Sequence, residues 1–99
     1  MIIIQAEDEA IVTNPREIYI DKDLEGHLHI YADLSSTDRI KAVKLTVFDY
    51  SKNVLGEMLE TMYKRMSDWL FLDECPSYVI SMKEVLDFAK QDRMEVSHD

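Results

Sequence analysis

The stretch YSKNVLGEMLETMYKRMSDWL, residues 50–70, decides the fold of this chain. Apolar side chains recur in it at steps of three and four, the spacing that lines one side of a helix. These side chains are Leu55, Met58, Leu59, Met62, Met66 and Trp69. A helix over residues 53–69 is roughly 25 Å long at 1.5 Å per residue. It can bury its apolar side only against a sheet, so we expect the methionines to be core residues that fill gaps between helix and sheet. The alternative is that Met58, Met62 and Met66 form an adaptable groove for a partner.

The residues before this helix have the pattern of short strands. Residues 1–4 and 10–13 are apolar runs that flank a polar stretch, which predicts a hairpin with Glu7, Asp8 and Glu9 at its tip. A proline after the second run removes a ladder donor and ends the hairpin. A third short strand follows it.

Residues 27–34 form the clearest strand of the sequence. Apolar and polar residues alternate there with the period of two expected of a half-buried strand. The polar side carries His27, His29, Tyr31 and Asp33. We expect the two histidines to face solvent. Residues 42–49 alternate in the same way, which predicts a strand antiparallel to this one.

A short strand and a second helix follow the central helix. Ser81 and Glu84 have the spacing of a capping box, so the second helix is expected to begin at Met82. We expect this helix to end near Gln91 and residues 92–99 to be a frayed tail.

The pattern as a whole predicts one domain over residues 1–99, of the α+β class. An antiparallel sheet of about five strands is covered by one long helix, with a short C-terminal strand and a second helix.

The net charge of −9 is unevenly distributed. Residues 1–38 carry nine acidic and two basic side chains, residues 39–65 three and six, and residues 66–99 eight and three. Free nucleic acid is not expected as a partner because most of this surface would repel it. The acidity favours a basic partner protein, unless it serves solubility alone.

The sequence points to a cytoplasmic protein. Cys75 is the only cysteine, so no intrachain disulfide can form. No apolar run approaches the ~20 residues of a membrane span, and the start of the chain has neither the charge nor the length of a signal peptide. No membrane association is therefore expected.

The chain contains no catalytic signature. Serine nucleophile elbows, glycine-rich phosphate loops and HExxH motifs are absent, and Cys75 lies among carboxylates that disfavour its thiolate. We therefore predict that the protein is not an enzyme and uses no cofactor. The weak alternative is a metal-dependent enzyme, for which the candidate ligands are His27, His29 and Asp33.

Two further groups of residues are candidate binding sites. Aromatic side chains near the end of the central helix exceed what one packed stripe needs, and aromatic anchors dominate interfaces. They are Tyr63, Trp69 and Phe71. The locally basic region could bind an anion, such as a nucleotide signal, in an oligomer. Its candidate residues are Arg39, Lys41, Lys44 and Lys52.

A further pattern is formed by residues that follow one another along the chain: Met1 to Ile3, Gln5, Asp8, Asn14, Tyr50, Leu55, Met58, Leu59, Met62, Tyr78 and Met82. In these residues and their order the chain resembles a group of small uncharacterised proteins from Gram-positive bacteria and their phages. That group has no established activity, so the resemblance implies only a phage or prophage context.

These features favour a non-catalytic acidic protein that binds a protein partner, plausibly as a phage-type modulator or inhibitor of a host defence system. An oligomeric binder of a small ligand or nucleotide signal is the alternative. Self-association as a homodimer is compatible with the surplus of aromatic residues.

Overall fold

A computed structural model describes residues 1–35, 41–69 and 78–97 of the chain. It has the predicted α+β class, with six strands and two helices in the described ranges. The elements are β1 (Ile2–Gln5), β2 (Ile11–Thr13), β3 (Glu17–Lys22), β4 (Leu28–Asp33), β5 (Ala42–Lys44), α1 (Lys52–Trp69), β6 (Tyr78–Ser81) and α2 (Met82–Ser97).

The strands form two three-stranded sheets rather than one sheet of five. Sheet A has the order β2-β1-β6 and sheet B the order β3-β4-β5. The division falls at Asn14, which has a positive φ of 47° and ties its side-chain oxygen to the amide of Ile2 at 2.8 Å. Pro15 follows and cannot donate to a ladder, so the chain leaves sheet A and starts a second sheet.

Sheet A contains the predicted hairpin and one pairing that local patterns cannot reveal. β1 and β2 pair antiparallel, with Ile4 opposite Val12. β6 pairs with β1 in parallel, with Ile80 opposite Ile4. A parallel partner needs a long crossover, and α1 lies in the connection that returns the chain to β1.

Helix α1 covers sheet B, as its apolar stripe predicts. It packs against β3 and β4 on one side and against α2 on the other. Leu55, Met58 and Met62 are fully buried, and Met66 is partly buried against the same core, so the methionine stripe is core. Ser51 caps the helix by accepting a hydrogen bond from the amide of Val54 at 3.3 Å.

Helix α2 begins at Met82 as expected but continues to Ser97. Residues 92–97 belong to this helix, and fraying of the tail over residues 92–99 stays a prediction. Arg65 of α1 joins the two helices: its guanidinium lies 3.3 Å from Glu84 and 4.6 Å from the centre of the Phe88 ring. These contacts join the first two turns of α2 to α1.

Candidate functional site

The outward side of sheet B is the candidate site. Alternation along β4 turns Ile30 and Ala32 into the core and Tyr31 outward. Tyr31 pairs with Tyr19 of β3 on one side and with Lys44 of β5 on the other. These three residues form one row across the sheet, on the face opposite α1. We call this surface the tyrosine face.

The two tyrosine rings are stacked. Their centroids are 5.8 Å apart and their planes differ by 21°, while both side chains stay partly exposed. Cross-strand aromatic pairs contribute roughly 0.2–1 kcal/mol to a sheet. The pair therefore stabilises the hairpin and still presents aromatic surface to solvent.

An open cavity of about 630 Å³ lies over this face. It extends from the tyrosine row to the turn between β3 and β4. The lining residues are Tyr19, Asp21, Lys22, Asp23, Leu24, Glu25, Tyr31, Ala42 and Lys44. Leu24, at the tip of the turn, is fully exposed to solvent. The cavity thus combines two tyrosine rings, three carboxylates, two lysines and two apolar side chains.

Asp23 fixes the turn that forms one wall of the cavity. Its Oδ1 accepts hydrogen bonds from the amides of Glu25 and His27, both at 2.9 Å. Its Oδ2 lies 3.2 Å from Nε2 of His29 and 3.6 Å from Nζ of Lys44. Burial alone would raise the pKa of Asp23, but the two amides and the Lys44 charge outweigh burial and hold it below its usual value.

His29 continues this chain of hydrogen bonds into the protein. Its Nδ1 lies 3.0 Å from Oγ1 of Thr46, and that oxygen also accepts the amide of Ile30 at 3.2 Å. His29 is only 4% exposed, so the prediction that it faces solvent is wrong. Thr46 comes from beyond β5 and, with Asp23, supplies partners for both ring nitrogens, which makes the burial tolerable.

Acid, histidine and hydroxyl stand here in the order of a nucleophilic triad. Thr46 is fully buried, however, and its oxygen already accepts a backbone amide. No substrate can reach that oxygen in this arrangement. We therefore assign Asp23, His29 and Thr46 to holding the turn against the sheet.

Carboxylates surround the tyrosine row. The pKa of Tyr19 is raised by partial burial and then by the negative charges of Asp33, Asp21 and Glu17. Glu17 and Asp33 lie opposite each other at one end of the strand pair, and Asp21 lies at the other. Burial is the larger cause of the raised pKa, and the contribution of the carboxylates reflects a negative potential at the ring, which attracts cations.

The burial of one acid, Glu7, was missed by the sequence analysis. Glu7 is 8% exposed, and its Oε1 accepts the amide of Val47 at 2.8 Å. The hydroxyl of Tyr50 donates to Oε2, and burial together with the bond and charge of Glu7 raises the pKa of Tyr50. Glu7 therefore joins the hairpin of sheet A to the segment after β5. Its partners are about 40 residues away, so no local pattern identifies them.

The structure does not bring the candidate metal ligands together. His27 contacts Glu25 and Asp49, at 3.8 and 3.3 Å, whereas His29 is bound inside the sheet. Asp33 accepts the amide of Ser35 at 2.7 Å. Within residues 1–35, 41–69 and 78–97, no group of three or more His, Cys, Asp or Glu side chains is arranged to hold a metal ion.

The candidate anion site is likewise dispersed. Lys44 lines the cavity and is paired with Asp23, while Lys41 and Lys52 are exposed and do not line it. Arg39 lies outside the described residues.

Of the predicted partner-binding aromatics, only the side chain of Tyr63 can be placed. Its hydroxyl donates to the carbonyl oxygen of Ile18 on β3 at 2.8 Å, and 48% of the residue is exposed. It also lines a small cavity of about 140 Å³ beside Arg16 and Met66. Trp69 is the last residue of α1, and Phe71 lies outside the described residues.

Comparison with known proteins finds no matching family model, no matching curated sequence and no matching solved structure. In the part of the chain that the structure describes, neither helix is long and apolar enough to cross a membrane. The functional assignment therefore rests on the geometry of the tyrosine face.

Proposed function

We propose that this protein is a non-catalytic binding protein, and that its tyrosine face takes a basic segment of a partner protein. The observation that carries this proposal is the stacked pair of Tyr19 and Tyr31, set in an open cavity and surrounded by carboxylates. A cation over an aromatic face gains ~0.5–1 kcal/mol when exposed and ~2 kcal/mol when desolvated.

The charge of the chain supports the same type of partner. The net charge is −9, and residues 1–38, which include β3 and β4, carry nine acidic against two basic side chains. This negative charge attracts a basic protein over a long range and so speeds their encounter, whereas it repels nucleic acid. Lys44 and Asp23, 3.6 Å apart, largely cancel each other's charge, and the remaining charged residues of the cavity are Asp21 and Glu25 against Lys22.

The two alternatives have less support. A nucleotide or other small anion would have to enter a cavity whose three carboxylates outnumber its two lysines, Lys22 and Lys44, and Lys44 is already paired with Asp23. A metal-dependent reaction would need His27 and His29 to share an ion, whereas each has other partners. The excess of carboxylates over lysines in the lining favours a basic segment over an anion.

The resemblance to proteins of Gram-positive bacteria and their phages gives this proposal a narrower form. In that form the cytoplasmic partner is a component of a host defence system, and the protein modulates or inhibits it. The acidic cavity supports a basic partner of any origin, so this narrower form depends on the resemblance alone.

A defined peptide tests the proposal. We expect the full chain to bind a fluorescein-labelled peptide of six alternating arginine and lysine residues, measured by fluorescence anisotropy. Loss of one cation–π contact on the open side of the pair corresponds to about a 2- to 5-fold weaker affinity, so the double variant Tyr19→Ala/Tyr31→Ala is expected to bind that much more weakly. Affinity should also fall as salt is raised.

Phe48→Ala provides the matched control. Phe48 is an exposed aromatic residue, 64% accessible, that does not line the cavity. This variant should bind like wild type, and circular dichroism should show all variants folded. Equal binding by wild type and the tyrosine double variant would overturn the proposal. So would tighter binding of a single-stranded oligonucleotide than of the peptide.

A further inference from the structure

The tyrosine face has the features of a site for one kind of cation. Its two rings lie within 21° of parallel, and Tyr19 belongs to β3, an edge strand in the order β3-β4-β5. Lys44 occupies the other end of the row, where Asp23 holds it. An incoming cation therefore reaches the row from the Tyr19 side.

A carboxylate stands beside that approach. Asp21 lies two residues after Tyr19 in β3, on the same side of the sheet, and lines the same cavity. Its Oδ1 accepts the amide of Lys22 at 2.8 Å, which orients the carboxylate. Residues two apart on a strand are roughly 6–7 Å apart. A planar cation stacked on the ring of Tyr19 can therefore also reach the carboxylate of Asp21 with a hydrogen bond.

The wall of the cavity is held in place before any ligand arrives. The amide of Asp23 donates to the carbonyl of His27 at 2.8 Å, and Gly26 closes the turn with a φ of +88°. This turn presents Leu24, which is fully exposed and lines the cavity. An apolar side chain at that point can cover the aliphatic stem of a long cationic residue.

We propose that the tyrosine face selects arginine over lysine, with the guanidinium stacked on Tyr19 and hydrogen-bonded to Asp21. This inference rests on the proposed function, because it specifies the basic residue that the face takes. A guanidinium is planar, is weakly hydrated, and presents a fork of donors that matches a carboxylate. An ammonium group is a strongly hydrated point charge that gains less from a flat ring.

A pair of peptides separates this inference from the proposed function. Both are eight residues long and made of glycine and serine, with two arginines in one and two lysines at the same positions in the other. Nitrogen-15 chemical shifts of the labelled full chain follow the titrations. We expect the arginine peptide to bind about fivefold more tightly, with the largest shifts at Tyr19, Asp21 and Leu24.

Asp21→Asn keeps the acceptor for the Lys22 amide but removes the charge. It is expected to reduce the preference for arginine to about twofold or less, and Asp21→Glu should restore it. Glu60→Gln is the charge-matched control, since Glu60 is exposed on α1, which packs on the opposite face of sheet B.

The outcomes separate the two claims. Equal affinity for both peptides, lost in the Tyr19→Ala/Tyr31→Ala variant, would overturn arginine selection and leave the basic-segment proposal standing. A preference that persists in Asp21→Asn would also overturn the inference, because another group would then supply the selectivity. Failure of both peptides to bind at millimolar concentration would overturn the proposed function as well.

Discussion

The two faces of sheet B are formed by alternate residues of the same strands but have different contents. The face under α1 holds Ile18, Ile30 and Ala32, all at most 3% exposed. The opposite face holds Tyr19 and Tyr31, which stack on each other and remain partly exposed. Both faces contain residues that favour strands, so strand propensity does not explain the difference.

The difference lies in what each face contacts. The inner face is matched by apolar side chains of α1 and needs no further partner. The tyrosine face has an open cavity of about 630 Å³ and a set of carboxylates around its aromatic rings. We infer that the inner face supplies stability and the tyrosine face supplies binding, and three predictions test that division.

The largest effect on stability is expected from a pair of neighbouring substitutions in β4. Ile30→Ala removes a fully buried side chain from the core and should lower the free energy of unfolding by about 2–5 kcal/mol. Tyr31→Ala, at the next residue, removes a partly exposed ring and its stacking contact with Tyr19, which should lower the free energy of unfolding by about 1 kcal/mol. Urea unfolding followed by circular dichroism measures both.

Peptide binding should show the opposite order for this pair. Ile30→Ala that remains folded should bind the arginine–lysine peptide like wild type, whereas Tyr31→Ala should bind it more weakly. If Tyr31→Ala destabilised the protein as much as Ile30→Ala, the tyrosine face would be a second core face and the division would be wrong.

Acid should weaken the turn that bounds the tyrosine face. The folded-state pKa of Asp23 is below its ordinary value of 3.8, so its charged form stabilises the folded protein above that pH. This stability is lost as the pH falls from about 4 through the lowered pKa. Asp23→Asn should therefore melt below wild type at pH 7, and the difference between their melting temperatures should shrink below pH 4.

Glu60→Gln serves as the control for this pH series, because Glu60 is exposed on α1. Its melting temperature should follow that of wild type across the whole range. A difference between Asp23→Asn and wild type that stayed constant from pH 7 to pH 2 would show that the carboxylate charge does not stabilise the turn.

Much of the fold could be predicted because its signals are local. The spacing of Leu55, Met58 and Met62 specifies one side of a helix, and the structure buries all three. The alternation in residues 28–33 correctly separates Ile30 from Tyr31. The parallel pairing of β6 with β1 was not predicted, because it depends on contacts about 76 residues apart, as between Ile4 and Ile80.

The site was harder to predict for the same reason. The alternating pattern of its strand predicts that His29 faces solvent. His29 is buried instead, because Thr46 and Asp23 contact it from different parts of the chain. The tyrosine pair had a usable signal. A hairpin that turns around Asp23–Gly26 places Tyr19 opposite Tyr31, so alignment of the two strands would have found it.

The smallest effect is expected at the edge where the two faces of sheet B meet. The hydroxyl of Tyr63 reaches from α1 to the carbonyl oxygen of Ile18 on edge strand β3, at 2.8 Å. Tyr63→Phe should lower the free energy of unfolding by about 0.5–1.5 kcal/mol, since it deletes one partly exposed hydrogen bond and keeps the ring. Urea unfolding measures this loss, and peptide affinity should not change. Weaker peptide binding by this variant would show that the binding site includes Tyr63 of α1 as well as the tyrosine face, because its hydroxyl would then contact the partner as well as β3.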